Sequence, residues 1–301
     1  MSPAACGQGY ACGQGYACGR GEEAQALMPG PDFLPPVKGP KARRERRYAE
    51  MRQIGTELAR SAFEERYKDV TFSPVCVLVA SYLEADNIGQ VLDAVPASVA
   101  GLKTTTLVVI DGGDDGTEKI VSEHDGLWAK FPCNLGHGVA LRLGYRLAIE
   151  RGAAYVVTLD ADGQNDPAEI PDLLAPVLGG EADFVIASRR LGVDQTTDRL
   201  RKTGVIFFSR VINALTGQKL TDTSNGYRAL RIEVLRDVVL EQDQYQTAEL
   251  IISAASRGFR IAECPTVWHP RASGISKKGS NLLYGPRYAS VIARTWLRDR
   301  T

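Results

Sequence analysis

The sequence predicts an α/β domain built on a doubly wound, mostly parallel sheet flanked by helices. Three observations predict it. Short apolar, β-branched runs alternate with helical stretches from Pro74 to about residue 190. Each run ends in a polar, often glycine-bearing cluster, as strands do at the carboxyl edge of an open parallel sheet, where ligands bind. The composition, 301 residues with 44% hydrophobic and 24% charged, is that of a soluble globular protein able to bury a sizeable core.

Residues 1 to 40 repeat Ala-Cys-Gly-Gln-Gly-Tyr and then become proline-rich, a composition that cannot form a packed core, so a disordered tail is expected, with Met28 or Met51 as an alternative start. A helical extension is expected over 41–73. Its apolar stripe is Tyr48, Met51, Ile54 or Gly55, Leu58 and Ala62, with Arg43, Arg44, Arg46, Arg47 and Arg52 around it. That stripe has two readings, docking on the main domain or contact with an anionic membrane surface. The main domain is expected over 74–280. In it, Val75 to Ala80, Thr106 to Ile110, Tyr155 to Leu159 and Asp183 to Ser188 read as strands. Asp86 to Val95, Gly116 to Glu123, Leu135 to Arg151 and Pro167 to Leu178 read as the helices between and after them, with right-handed crossovers. The segments Leu200 to Leu215, Thr247 to Arg257 and Arg260 to Val267 form the acceptor-side half of the same domain.

Charge excludes one class of partner. Lys plus Arg and Asp plus Glu both number 36, so there is no global basic field to attract nucleic acid. No run of eighteen apolar residues and no signal-peptide pattern occurs, and a cytoplasmic location is expected. Cys6, Cys12 and Cys18 belong to the tail repeat, whereas Cys76, Cys133 and Cys264 are scattered singly, which is no disulfide framework.

The chemistry is concentrated where the strand Tyr155 to Leu159 opens into Asp160-Ala161-Asp162-Gly163-Gln164. These side chains are hard oxygen ligands that suit Mg²⁺ or Mn²⁺ bridging a diphosphate; a turn capping the helix at Pro167 is the alternative. The other strand ends carry Ala80-Ser81-Tyr82-Leu83-Glu84-Ala85-Asp86-Asn87, Asp111-Gly112-Gly113-Asp114-Asp115-Gly116-Thr117, Asn134-Leu135-Gly136-His137-Gly138 and Ala187-Ser188-Arg189. Asp222 to Ala229, Glu249, Glu263-Cys264-Pro265 and Arg271-Ala272-Ser273-Gly274-Ile275-Ser276-Lys277 follow.

Together, in order and spacing over residues 74–280, these clusters resemble a family 2 glycosyltransferase of the nucleotide-diphospho-sugar transferase (GT-A) fold, nearest the dolichyl-phosphate and polyprenyl-phosphate sugar synthases. The resemblance implies that Ala80, Tyr82, Glu84, Val109 and Asp111 contact the donor nucleoside, and that Asp160, Asp162 and Gln164 hold Mg²⁺ or Mn²⁺ with Ala161 contributing backbone. It implies that Arg189, Arg271 and Lys277 meet the diphosphate, with Arg228 at the acceptor phosphate. Leu83, Ile110 and Gly113 depart from the family pattern. The implied reaction is an inverting displacement from GDP-mannose or a UDP-sugar by a polyprenyl phosphate, with Asp162, Arg189, Arg271, Lys277 and Arg228 as the catalytic set. A hydroxyl acceptor would require a base, with Asp222 or Glu249 as the candidates. A non-catalytic sugar-nucleotide binding subunit is the reading from a different class. His137 reads as a solvated loop residue.

Residues 281–301 read as an amphipathic helix with Tyr288, Val291, Ile292, Trp296 and Leu297 among Arg287, Arg294 and Arg298. Peripheral membrane contact at headgroup level and packing on the core are both open.

Overall fold

The structure, a computed structural model, describes residues 39–196, 199–271 and 281–300. Its first half runs α1 (Gly39–Arg66), β1 (Val75–Ser81), α2 (Ala85–Ala94), β2 (Ser98–Val99), β3 (Leu102–Ile110), α3 (Thr117–Glu123), β4 (Leu127–Lys130) and α4 (His137–Glu150). The second runs β5 (Tyr155–Asp160), a 3₁₀ turn, α5 (Ile170–Leu178), β6 (Phe184–Asp194), α6 (Arg199–Thr216), β7 (Arg228–Arg231), α7 (Ile232–Asp237), α8 (Gln246–Ser256), β8 (Ile261–Trp268) and α9 (Asn281–Asp299).

The strands lie in the order β2-β3-β1-β5-β7-β6-β8, with β4 paired to β3. β1 pairs in parallel with both β3 and β5, and it is apolar throughout because helices cover both of its faces. Successive residues of β1 therefore feed two cores. Cys76 and Leu78 join Val109, Val156 and the α4 residues Leu143 and Leu147 on one face, while Val75, Val77 and Val79 join Val157, Ile170 and Leu174 on the other. Gly144 lets α4 approach β1: a Cβ there would lie 2.3 Å from Leu78 Cδ1.

The sheet is mixed. β7 is inserted antiparallel between β5 and β6. No strand signal is legible there, since Arg-Ala-Leu-Arg lacks β-branched residues, and the two-residue β2 and four-residue β4 are too short to show a period.

Two helices correct their sequence readings. α1 docks through Thr56, Ala59 and Phe63, held by Arg146 to Glu57 (2.5 Å) and Arg52 to Asp243 (2.6 Å). Its expected stripe is the uncovered face: Ile54 is 62% exposed, Leu58 58%, Tyr48 42% and Met51 41%. The reason is that Phe63, outside that stripe, fills the space beside Tyr67 and Phe72 and sets the helix rotation. For α9 the structure decides for the core. Tyr288, Val291 and Ile292 are buried, Tyr288 stacks edge-on against Phe208 and Tyr245, and Trp296 donates Nε1–H to Leu215 O. Among the described residues no helix is long and apolar enough to cross a membrane. Of the expected tail, residues 1–40, residues 1–38 lie outside the described residues, while Gly39 and Pro40 already belong to α1.

Candidate active site

The register of the three central strands places Val109, Ala80 and Asp160 side by side at the carboxyl edge. Val109 itself is fully buried, so its side chain belongs to the core, and the nucleoside wall it was expected to join is made by the loops above it. After β1 the chain turns through Leu83, at φ 55°, into α2. The N–H of Ala85 is capped by Asp115 Oδ2 from the neighbouring β3–α3 loop, not by Asp86 or Asn87. Glu84 is buried and accepts from Asn87 Nδ2 at 2.8 Å. Tyr82 and Leu83 lie against Gly113, whose φ of +86° suits glycine.

Asp111 is buried and accepts backbone N–H groups from Leu135 (2.6 Å) and Gly136 (3.0 Å). Burial pushes its carboxyl up to about 6 against the opposing pull of those two hydrogen bonds. Its visible task is to brace the β4–α4 loop beside the cleft. The same loop passes so close to Gly112 that a Cβ there would lie 2.5 Å from the Cys133 carbonyl carbon. Gly136 and Gly138 permit close approach of the 242–243 backbone: a Cβ on Gly138 would lie 2.4 Å from Gln242 O.

At the end of β5, Asp162 is buried and its Oδ1 accepts from Gln164 N–H, closing a tight turn around Gly163 at φ 72°. Gln164 pairs with the segment after β8 through its own Nε2–H to His269 O (3.2 Å) and through His269 N–H to Gln164 O (2.9 Å). That pairing delivers Arg271 to the cleft. Arg271 donates to Asp162 Oδ2 at 3.2 Å and makes a very short contact with Glu84 Oε1, joining the nucleoside side and the β5 carboxylates. His137, read as solvated, is exposed, but it opens α4 rather than lying in a loop, and its Nε2 lies 3.5 Å from Asp160 Oδ1, a proximity that the Gly136-His137-Gly138 sequence does not reveal. Gly226 closes the opposite side, where a Cβ would sit 3.6 Å from Asp160 Oδ1.

The remaining motif residues divide. Arg189 is buried and bidentate to Asp222, at 2.6 and 2.8 Å, with Ser224 Oγ as a third partner and the Trp268 ring beneath it. Burial alone would raise the Asp222 carboxyl, but the Arg189 hydrogen bonds outweigh it and hold it below the ordinary range. Beside this pair, at the β6–α6 junction, a recess of ≈ 270 Å³ is lined by Arg189, Arg190, Asp194, Thr196, Lys202 and Asp222 among others. Arg228 corrects its expected role. It is 2% exposed and donates to the backbone carbonyls of Asn225, Thr247 and Thr223, so it faces the core and no acceptor. Glu249 is likewise buried, accepting from Glu241 and Gln242 N–H and from Arg298. Glu263 clamps Thr221 and Asp222 N–H. Lys277 lies outside the described residues.

Residues 76–239 match the family described as Glycosyl transferase family 2. The chain belongs to that family. A dolichyl-phosphate hexose transferase of Haloferax volcanii is 32% identical over 204 residues, 68% of this chain and 86% of that protein. A polyprenol monophosphomannose synthase of Mycolicibacterium smegmatis is 31% identical over 225 residues, covering 68% and 82%. Among solved structures, glucosyl-3-phosphoglycerate synthase from Mycobacterium tuberculosis, in complex with Mn²⁺, uridine diphosphate and phosphoglyceric acid, matches with a TM-score of 0.59 at 20% identity, covering 79% of this chain and 81% of that one. At that identity the likeness is one of fold, the GT-A architecture. As a family 2 member the protein is a glycosyltransferase, which sets aside the non-catalytic reading.

Proposed function

We propose that this glycosyltransferase moves a hexosyl group, with inversion, from GDP-mannose or a UDP-sugar to a polyprenyl or dolichyl phosphate, using Mg²⁺ or Mn²⁺. Relatives named for dolichyl-phosphate and polyprenol substrates support the acceptor class. The observation that carries the reading is the recess at the β6–α6 junction, where Arg190 stands beside the buried Arg189–Asp222 pair and Lys202 beside Asp194 at 3.4 Å, so that three cationic side chains face two carboxylates. The Asp222 to Gly226 loop links that recess to Asp160, so an anion held there lies on the same rim as the donor loops.

The residues fit a divalent ion. Asp160, Asp162 and the Gln164 amide oxygen would hold it, since Gln164 engages its amide N–H with His269 O, and two carboxylates with substrate oxygens are a usual arrangement for Mg²⁺. When bound, the ion neutralises charge building on the leaving diphosphate. Arg271 reaches both the nucleoside side and the carboxylates and supplies a second positive group there. Tyr82 and Glu84 offer an aromatic face and a carboxylate to the nucleoside. A prenyl phosphate is already an anion and needs no strong base. Asp222 and Glu249, the bases considered for a hydroxyl acceptor, are both buried and engaged, by Arg189 and by two backbone N–H groups with Arg298.

The test is transfer from GDP-mannose, UDP-glucose and UDP-N-acetylglucosamine to a polyprenyl phosphate and to the matching free polyprenol. Product is expected with the phosphate alone and is expected to vanish on chelation of divalent ions. Equal transfer to the free alcohol would overturn the acceptor assignment.

A further inference from the structure

The face of α1 turned away from the domain has a composition that the fold leaves unexplained. Tyr48, Met51, Ile54 and Leu58 follow one another at spacings of three and four residues, so they form one ridge. All four are exposed. Spacings of three and four also place Arg44 and Arg47 on the N-terminal continuation of that ridge, and a row from Arg44 to Leu58 spans about 21 Å at the α-helical rise. Beside it lies a groove of ≈ 310 Å³ whose lining includes Arg47, Met51, Ile54, Leu58, Pro132 and Cys133. The last two belong to the loop that leads through Leu135 and Gly136 to Asp111.

We propose that this face of α1, with the Pro132–Cys133 loop, docks on an anionic lipid bilayer. Charge identifies the occupant. Glu50, the acidic residue in the groove, is paired with Arg46 at 2.9 Å, and Glu57 is paired with Arg60 and Arg146. Arg43, Arg44 and Arg47 are exposed against one exposed acid of the same turn, Glu45, so the ridge still presents net positive charge next to apolar side chains at one level. That pairing of chemistries matches headgroup phosphates above acyl chains. A second copy suits the face poorly, because a parallel twofold contact through the ridge brings these arginines toward their own counterparts and an antiparallel one brings them toward Ile54 and Leu58, so neither sets an acid opposite them. The choice of lipid also rests on the acceptor proposed above, whose prenyl tail lies in a bilayer. The helix opposite in sequence offers less for this role, since Tyr288, Val291 and Ile292 of α9 are buried and only the Leu297 end of its described stripe is exposed.

The experiment is co-sedimentation of the full chain with vesicles of phosphatidylcholine alone and of phosphatidylcholine with phosphatidylglycerol, without any prenyl phosphate, at low and high salt. Three arginines near a charged surface predict partitioning about a hundredfold stronger on the anionic vesicles at low salt, falling as salt rises. Ile54→Glu with Leu58→Glu, and separately Arg44→Glu with Arg47→Glu, are expected to lower that partitioning at least about tenfold. Their melting temperatures and their transfer to a short, soluble prenyl phosphate are expected to match the parent, because all four side chains lie outside the cleft. Equal binding to both vesicle types, no binding, or variants that bind like the parent would each overturn the proposal. So would a dimer in light scattering that Ile54→Glu with Leu58→Glu dissolves, which assigns the face to a second copy. Vesicle binding is read without turnover. Loss of transfer to every phosphate acceptor therefore removes the proposed reaction and leaves the vesicle result to stand or fall alone.

Discussion

Arg228 and Arg271 come from motifs of equal standing in the sequence, and they end in opposite settings. Arg228 is sealed under the sheet, its guanidinium shared among three backbone carbonyls and its pKa drawn down to about 10 by burial. Arg271 bridges two carboxylates from different loops at the open edge. An arginine among backbone carbonyls holds chain segments in place, whereas one among carboxylates can exchange them for phosphate oxygens. The difference separates stability from activity within a single constellation.

The largest test of that contrast is Arg228→Leu. Leaving three buried carbonyls without a donor is expected to destabilise the protein by at least about 3 kcal/mol, read from the shift of a urea midpoint at unchanged m-value. Arg271→Ala and Asp162→Ala are expected to lower kcat by about 100- to 1000-fold while changing stability by no more than about 1 kcal/mol. If Arg271→Ala instead unfolds the protein as readily as Arg228→Leu, the contrast is broken.

The two terminal helices sharpen the same point with aliphatic side chains. Ile292→Ala in α9 opens a cavity beneath Tyr288 and is expected to cost about 2–4 kcal/mol. Ile54→Ala in α1 removes an exposed side chain and is expected to stay within about 0.5 kcal/mol. Parallel urea titrations of the two variants check the pair.

A pH-dependent test concerns Asp111. Its folded carboxyl is raised from 3.8 to about 6, so the folded state keeps its proton where the unfolded chain has lost it. Its contribution to stability is fully present below about pH 3.8 and is lost as pH rises through about 6. Asp111→Asn is expected to flatten that part of the melting-temperature profile; an unchanged slope between these values would show that the carboxyl does not titrate there.

The site was legible where a motif is contiguous. Asp160, Asp162 and Gln164 follow one another at the end of one strand, so residue type and spacing suffice to single them out as candidates. The Arg271 bridge was legible as a residue but not as a contact, because the pairing of Gln164 with His269 that delivers it joins segments distant in sequence. His137 was read as solvated because nothing local reveals Asp160 beside it. Glu249 and Asp222 looked like bases for the same reason: their partners, Arg298 and Arg189, come from elsewhere in the chain.

By itself the sequence determined the order of the main strands and helices, the carboxyl-edge clusters and the family they resemble, since these depend on local periodicity and neighbouring residue types. Tertiary structure alone decided that β7 runs antiparallel between β5 and β6, that Arg228 is sealed in while Arg271 reaches the cleft, and that α9 buries Tyr288, Val291 and Ile292 while α1 leaves its expected stripe uncovered. The physical reason is common to all of these. An amphipathic helix or a charged side chain carries a preference for a kind of surroundings, and only packing against residues far away in the chain determines which surroundings it receives.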